Sequence, residues 1–271
     1  MMAPTPMPMR TIRPKGRAVL RSAPHKRGLA PQSGRDIVAP PLDDALDDAA
    51  LFRLMTWLSP AYPVGAFSYS SGIEWAVEAG DITDASTLQA WLAAMVTEGC
   101  GWSDGVLFSA AHRALADADD GALVETAELA TALAANGERY RETTTLGRAF
   151  IEVTQAAWPC AALNRLQALW TGPVAYPVAV AAACAGHATA LRPALNAFVA
   201  ALVANWVSAG LRLIPLGHTD GQRVLNALLP IVAATAQKAA VARLEDAGSA
   251  AFRADIAGAK HETQYTRLFR S

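Results

Sequence analysis

From Asp43 onward apolar side chains return every three or four residues, and nowhere do they alternate over the length of a strand. Leu51, Leu54, Met55 and Leu58 set the pattern at i, i+3, i+4 and i+7, behind aspartates that complement the positive end of a helix dipole. Ser59-Pro60 ends that helix, because the proline ring disfavours a helical residue before it. Leu88, Trp91, Leu92 and Met95 repeat the spacing behind a Thr-Asp-Ala-Ser cap region. Further helices are predicted near residues 73–79, 102–117, 121–135, 138–157, 160–169, 177–190, 193–212, 219–243 and 248–258, with Gly, Pro, Asn-Gly or Asp-Asp at their boundaries. The expected fold class is all-α: one globular helical bundle of roughly ten helices, a single domain over residues 42–271 with no long internal linker.

Alanine shapes that bundle. In "PVAVAAACAGHATAL" small side chains let helix axes approach closely, but each buries little area, so many helices must share faces. The uncharged run Ala194 to Leu211 just reaches the length of a membrane span. Its Asn196, Asn205, Ser208 and weakly apolar alanines point instead to a buried core helix. The formal net charge of −1 hides an uneven distribution: residues 1–40 carry eight Lys/Arg, one acid and seven of the sixteen prolines. Residues 1–41 are therefore read as a disordered basic arm, dispensable for folding, without the continuous apolar core of a secretory signal. Cys100, Cys160 and Cys184 are odd in number and widely spaced, which fits neither a disulfide framework nor a structural zinc site and suits a reducing cytoplasm.

Catalytic signatures are missing. The phosphate-cradling GxxxxGK[ST] and GxGxxG loops are absent, and "HETQY" (His261 to Tyr265) lacks the second histidine that would complete a zincin helix. Two unusual segments remain. "SPAYPVGAFSYSSGIE" (Ser59 to Glu74) is stiffened by two prolines, hinged at Gly65 and Gly72, and carries Tyr62, Phe67 and Tyr69; it reads either as a shaped binding loop or as a plug at the end of the bundle. "KHETQYTRLFRS" (Lys260 to Ser271) joins Tyr265, Leu268 and Phe269 to Lys260, Arg267 and Arg270 and reads either as a docking tail or as a self-packed one. Between them lie "RLIPLGHTDGQR" (Arg212 to Arg223) and "ERYRETTTLGRAF" (Glu138 to Phe150), in which Arg141, Thr144 or Thr145, and Arg148 share a side that reads as a solvated helix face.

Together and in this order, the four segments resemble the urease accessory protein UreF family. Its pattern has an "SPxLPVGAFSYSxGLE"-like opening, a helix ending in "GRA" (Gly147 to Ala149), a "PLGxTxGQR" motif (Pro215 to Arg223) and a "RHETQYSRLFRS"-like end. The likeness runs from about Leu51 to Ser271, with Tyr62, Ile73, His218, Lys260 and Thr266 as mild departures.

The resemblance implies an all-helical cytoplasmic protein, dimer-forming, that carries out no covalent chemistry and needs no cofactor of its own. It implies a scaffold that binds UreD (UreH) and, through that complex, the GTPase UreG and the urease apoprotein during GTP-dependent nickel insertion. No nucleic-acid or membrane partner is expected. Carried over residue by residue, Tyr69, Glu74, Arg148, Gln222, Arg223, Tyr265, Arg267 and Arg270 are candidates for partner contacts or for ordering the segments that make them. Glu74 either meets a partner's cation or serves a local helix end. His218 is read either as a turn residue or as a transient nickel contact, since imidazole suits nickel. Two rival classes are a helical enzyme with a pocket lined by the 59–74 loop and His218, and a membrane-associated protein using the basic arm and Ala194 to Leu211.

Overall fold

The structure is a computed structural model that describes residues 46–271, so the basic arm lies outside the described residues. Among the described residues eleven α-helices follow one another: α1 (Asp48–Trp57), α2 (Ile73–Glu78), α3 (Ala85–Thr97), α4 (Cys100–Ala116), α5 (Asp120–Ala132), α6 (Gly137–Ala157), α7 (Ala161–Leu169), α8 (Tyr176–Gly186), α9 (Leu191–Leu213), α10 (His218–Ala239) and α11 (Phe252–His261). No strand occurs among the described residues. The starts follow capping chemistry. Asp47, Asp84, Asp119 and Asn136 each accept a hydrogen bond from a first-turn amide of α1, α3, α5 and α6, satisfying donors that have no partner within the helix.

At the centre stands α8, whose residues Tyr176 through Cys184 are all buried. It packs against α4, α6 and α7, and its alanines allow the close approach expected of small side chains. Gly147, in the middle of α6, marks the tightest point: a Cβ there would lie 2.0 Å from the carbonyl oxygen of Val174, in the segment entering α8. The glycine of the "GRA" motif is thus a packing requirement. Helix α9 is long and apolar enough to cross a membrane, but 50% of its apolar window is buried inside the bundle, against α10, α4, α2 and α3.

A row of aromatic rings joins the first loop to this core. Trp57 meets Phe150 edge-on at 6.2 Å, Tyr62 lies 5.5 Å from the same ring, and Tyr176 and Phe198 carry the row on to Phe108 at 5.1 Å. Elsewhere the predicted bounds drift: α8 stops at Gly186 and α10 at Ala239, short of 190 and 243, and α11 is shifted at both ends. The helix predicted over 248–258 begins at Phe252 and continues to His261. Its first turn is displaced because Gly248 takes φ +153° and Ala250 N–H donates to the Glu98 carbonyl at 2.6 Å. It runs past Gly258 because that glycine is needed for close packing, not for a helix stop: a Cβ on it would meet Asn136 Nδ2 at 2.6 Å.

Candidate functional site

The loop from Ser59 to Gly72 is a sequence of fixed turns. Tyr62 shares a hydrogen bond with Thr154 Oγ1 at 2.9 Å, which anchors the loop's entry, and burial pushes its phenol up, partly offset by that bond. At the exit Ser71 and Gly72 both take left-handed backbone, with φ of +53° and +82°. Such a conformation is uncommon for serine. It is held because the Ser71 hydroxyl donates to Glu142 Oε1 at 3.0 Å and accepts from Trp206 Nε1 at 3.0 Å. A Cβ on Gly72 would sit 2.7 Å from Gly258 N, so α2 and α11 cross backbone to backbone.

That crossing delivers the tail onto the loop. Arg270 N–H donates to the Ser68 carbonyl at 2.8 Å, and Ser70 N–H donates to the main-chain oxygen of Ser271 at 2.6 Å, where the Ser70 hydroxyl also donates. Phe269 is buried, with the Arg212 guanidinium 4.1 Å above its ring, and Arg212 Nη2 also donates to the Phe67 carbonyl at 2.8 Å.

Beneath the tail lies a buried set of charges. Glu74 accepts from Leu268 N at 2.6 Å through one oxygen, and from Phe269 N and His261 Nε2, both at 2.9 Å, through the other. The opposite ring nitrogen, His261 Nδ1, is 2.6 Å from Glu138 Oε2, and Arg267 Nη1 donates to Glu138 Oε1 at 2.9 Å. His261 is wholly buried and Glu138 is 1% exposed, so each must be satisfied by these partners. The next residue continues the clasp: Glu262 Oε1 accepts from Gly137 N at 2.8 Å and Glu138 N at 3.3 Å, capping α6 from the tail.

A second buried group adjoins it. Arg139 donates to Asp104 Oδ2 at 2.5 Å and lies 3.5 Å from Glu142, which also accepts from the Ser271 hydroxyl at 3.1 Å. Burial raises Asp104 and Glu142 above the ordinary carboxylate range, opposed by Arg139. Burial pulls the Arg139 guanidinium down, but the two facing acids outweigh it and hold it charged. The Cys100 thiol is pushed up to about 12 by burial and is therefore unreactive. These residues line one side of a cavity of ≈ 50 Å³, room for a few waters, reached by Ser71 and Gly72 of the loop. His218 does not line it, so the pocket imagined between the loop and His218 is not formed there.

The predicted residues thus separate. Tyr69 and Glu74 are buried, in places that order the neighbouring segments: Glu74 holds this chain's own tail, and the Tyr69 carbonyl accepts from Asn205 Nδ2 at 3.4 Å. The tail is self-packed in part, since His261, Phe269 and Ser271 belong to the interior. What faces outward is Tyr265, fully exposed, with Leu268, Arg270 and the neighbouring loop residue Phe67; Arg267 is exposed as well, its guanidinium turned in to Glu138. Arg148 lies elsewhere, on the outer side of α6, 3.9 Å from Glu152 in a groove with Trp170. Gln222 and Arg223 are exposed at the start of α10, where Arg223 pairs with Asp220 at 2.7 Å. His218, the first residue of α10, is exposed, and no group of three metal-ligating side chains occurs among the described residues. Sequence reasoning missed His261, Glu138, Glu142, Arg139 and Asp104. The one available signal was the i, i+4 pair Glu138 and Glu142 on the inward side of α6.

A family model for UreF matches residues 82–229. A protein named Urease accessory protein UreF from Rhodopseudomonas palustris (strain BisB18) is 59% identical over 227 residues, covering 84% of this chain and 94% of the relative. Proteins of the same name from Bradyrhizobium sp. (strain ORS 278) and Bradyrhizobium diazoefficiens are 57% and 56% identical, covering 82% and 84% of this chain and 92% and 94% of their own lengths.

Proposed function

Because the chain belongs to the UreF family, we propose that it acts as a non-catalytic urease accessory protein, a scaffold that bridges UreD (UreH) and the GTPase UreG and supports GTP-dependent nickel insertion into the urease apoprotein. It works in the cytoplasm, as a homodimer within the complex, with nickel as cargo rather than as a resident cofactor.

One observation carries this reading. Tyr265 is fully exposed, yet the segment that bears it is fastened on both sides, by His261 between two buried carboxylates and by Leu268 and Phe269 donating to Glu74. A large aromatic held rigidly in solvent loses little conformational entropy on docking, and aromatic and arginine side chains are the commonest interface anchors. Phe67 and Leu268 supply apolar area beside it, and Arg270 supplies charge. We assign this surface to UreD. Arg148, Gln222 and Arg223, on other exposed faces, are left for UreG and the apoprotein, and His218 for at most a passing nickel contact.

Purified urease apoprotein, UreD and UreG, supplied with GTP, bicarbonate and nickel, should activate with this chain and remain inactive without it. Equal activation in its absence, or failure of the chain to co-purify with UreD, would refute the reading.

A further inference from the structure

Asn136-Gly137 is the one Asn-Gly step in the chain. In such a step no side chain on the glycine hinders the approach of its nitrogen to the asparagine side-chain carbon. Attack closes a five-membered succinimide: a bond forms between Gly137 N and Asn136 Cγ, the Cγ–Nδ2 bond breaks, and the side-chain nitrogen leaves as ammonia with the proton given up by Gly137. Water then opens the ring at either carbonyl, leaving aspartate or isoaspartate at position 136. The reaction needs water and no other co-reactant.

In the folded protein each polar atom of that reaction is engaged. Asn136 Oδ1 accepts from Arg139 N at 2.9 Å as the cap of α6. Its Nδ2, the leaving group, donates to the Asp255 carbonyl on α11 at 3.1 Å and lies against Gly258, where an added Cβ would meet it at 2.6 Å. The nucleophile, Gly137 N, donates to Glu262 Oε1 at 2.8 Å, and the carboxylate's negative charge opposes loss of the proton that attack requires. Asn136 has ψ 171°, and ring closure has to swing Gly137 N from there toward the side chain, so the first turn of α6 must move.

Two of these restraints come from outside α6, and both come from α11 and the residue that follows it, Asp255 and Glu262. We propose that Asn136 is a masked deamidation site: docked α11 and tail hold it inert, and undocking frees nucleophile and leaving group together and lets the ring close. The product works against re-docking. An aspartate there still caps α6, but it turns an oxygen on the Asp255 carbonyl where Nδ2 had donated, and isoaspartate adds a backbone methylene that displaces the cap as well. Deamidation thus records irreversibly how long α11 has been undocked. The proposal concerns the chain alone and stands whether or not UreD is the partner.

The test is peptide mapping by mass spectrometry of the full chain held at mildly alkaline pH, following amide-to-acid conversion at position 136. In the folded wild type it should be at least about tenfold slower than in the same chain unfolded in urea. Glu262→Ala removes an exposed side chain and its two hydrogen bonds to main-chain amides of α6. Conversion should then be roughly tenfold faster than in folded wild type, or more, while the α8 amides keep their protection from hydrogen exchange. A rate within about threefold of wild type, or a slower one that makes Glu262 the base for the attack, overturns the proposal, as does a folded wild type that converts as fast as the unfolded chain. If α8 loosens as well, Glu262→Gln decides, since its amide keeps an acceptor oxygen but no charge: faster conversion supports the mask, and no gain overturns it. Asn136→Asp tests the consequence. Its Leu268 and Phe269 amides should exchange roughly tenfold faster than those of wild type; unchanged exchange would show a tail that re-docks freely and overturn the proposal.

Discussion

Replacing Glu74 by glutamine keeps the shape of the side chain and removes its charge, which isolates what the carboxylate does for the tail. In the native protein its two oxygens accept from Leu268 N at 2.6 Å and from Phe269 N and His261 Nε2 at 2.9 Å. An amide offers one oxygen and one NH2 group, so in either orientation a donor is turned against at least one main-chain N–H. His261 also loses one of its two carboxylate partners inside the protein. Losing two hydrogen bonds to a charged acceptor, about 1.5–3 kcal/mol each, costs about 3–6 kcal/mol. Tail closure should therefore weaken by roughly 10²- to 10³-fold or more, since each 1.4 kcal/mol is about a factor of ten. The cost falls on the tail and α11 and not on the core, because Glu74 is on a short helix packed mainly against α11 and α9. Hydrogen exchange of residues 262–271 should rise by that factor in Glu74→Gln, while helicity stays near wild type and UreD capture is lost. If protection of the Phe269 amide stays within about threefold of wild type, Glu74 does not hold the tail, and the account of the site fails.

Three other changes separate the parts of this account. Gly147→Ala forces a Cβ to 2.0 Å from the Val174 carbonyl and should destabilise the fold by about 3 kcal/mol or more, read as a lower denaturant midpoint; a loss below about 1 kcal/mol would show that α6 and α8 slide apart freely. Tyr265→Ala removes no buried contact, so helicity and thermal stability should be unchanged while affinity for UreD, measured by calorimetry, falls by about 2–4 kcal/mol, roughly 30- to 1000-fold. Arg139→Gln leaves Asp104 and Glu142 buried without their cation and should cost about 3–5 kcal/mol at neutral pH. Both acids are already raised by burial, so the cost should be smallest below the ordinary carboxylate range, where they are protonated in folded and unfolded states alike, and should grow as pH rises through it; a penalty independent of pH in urea titrations would contradict this.

The helices were legible because their signals are local. Leu51 to Leu58 and Leu88 to Met95 each display a full apolar stripe within two turns, and the caps at Asp47 and Asp84 precede them. The displaced α11 shows where this fails. Gly248 and Gly258 look alike in sequence, but one bends the chain before the helix and the other lies inside it, facing Asn136 across a crossing that no nearby residue announces. The site was half legible. The loop and tail stand out by their Pro, Gly and aromatic content, so their location was visible, but their use was not. Glu74 in a first helical turn resembles an exposed dipole partner, and "HETQY" resembles a broken metal motif. Only the three-dimensional meeting of α2, α6 and the tail turns them into acceptor, donor and anchor.

Time of synthesis gives that meeting a further meaning. Glu74 and His261 are separated by 187 residues, a stretch that a ribosome translating at about 5–20 residues per second takes roughly 10–40 s to make. In the course of that interval the aromatic row, α4, α6 and α8 are made and can pack, whereas Glu74 and Glu138 still lack the tail groups they are buried with. They must stay hydrated, with the loop from Ser68 to Gly72 unclosed, until the final turn of α11 arrives. A nascent chain stalled before His261 should thus carry a folded interior and an unfinished face, its loop still waiting for the residues that close it.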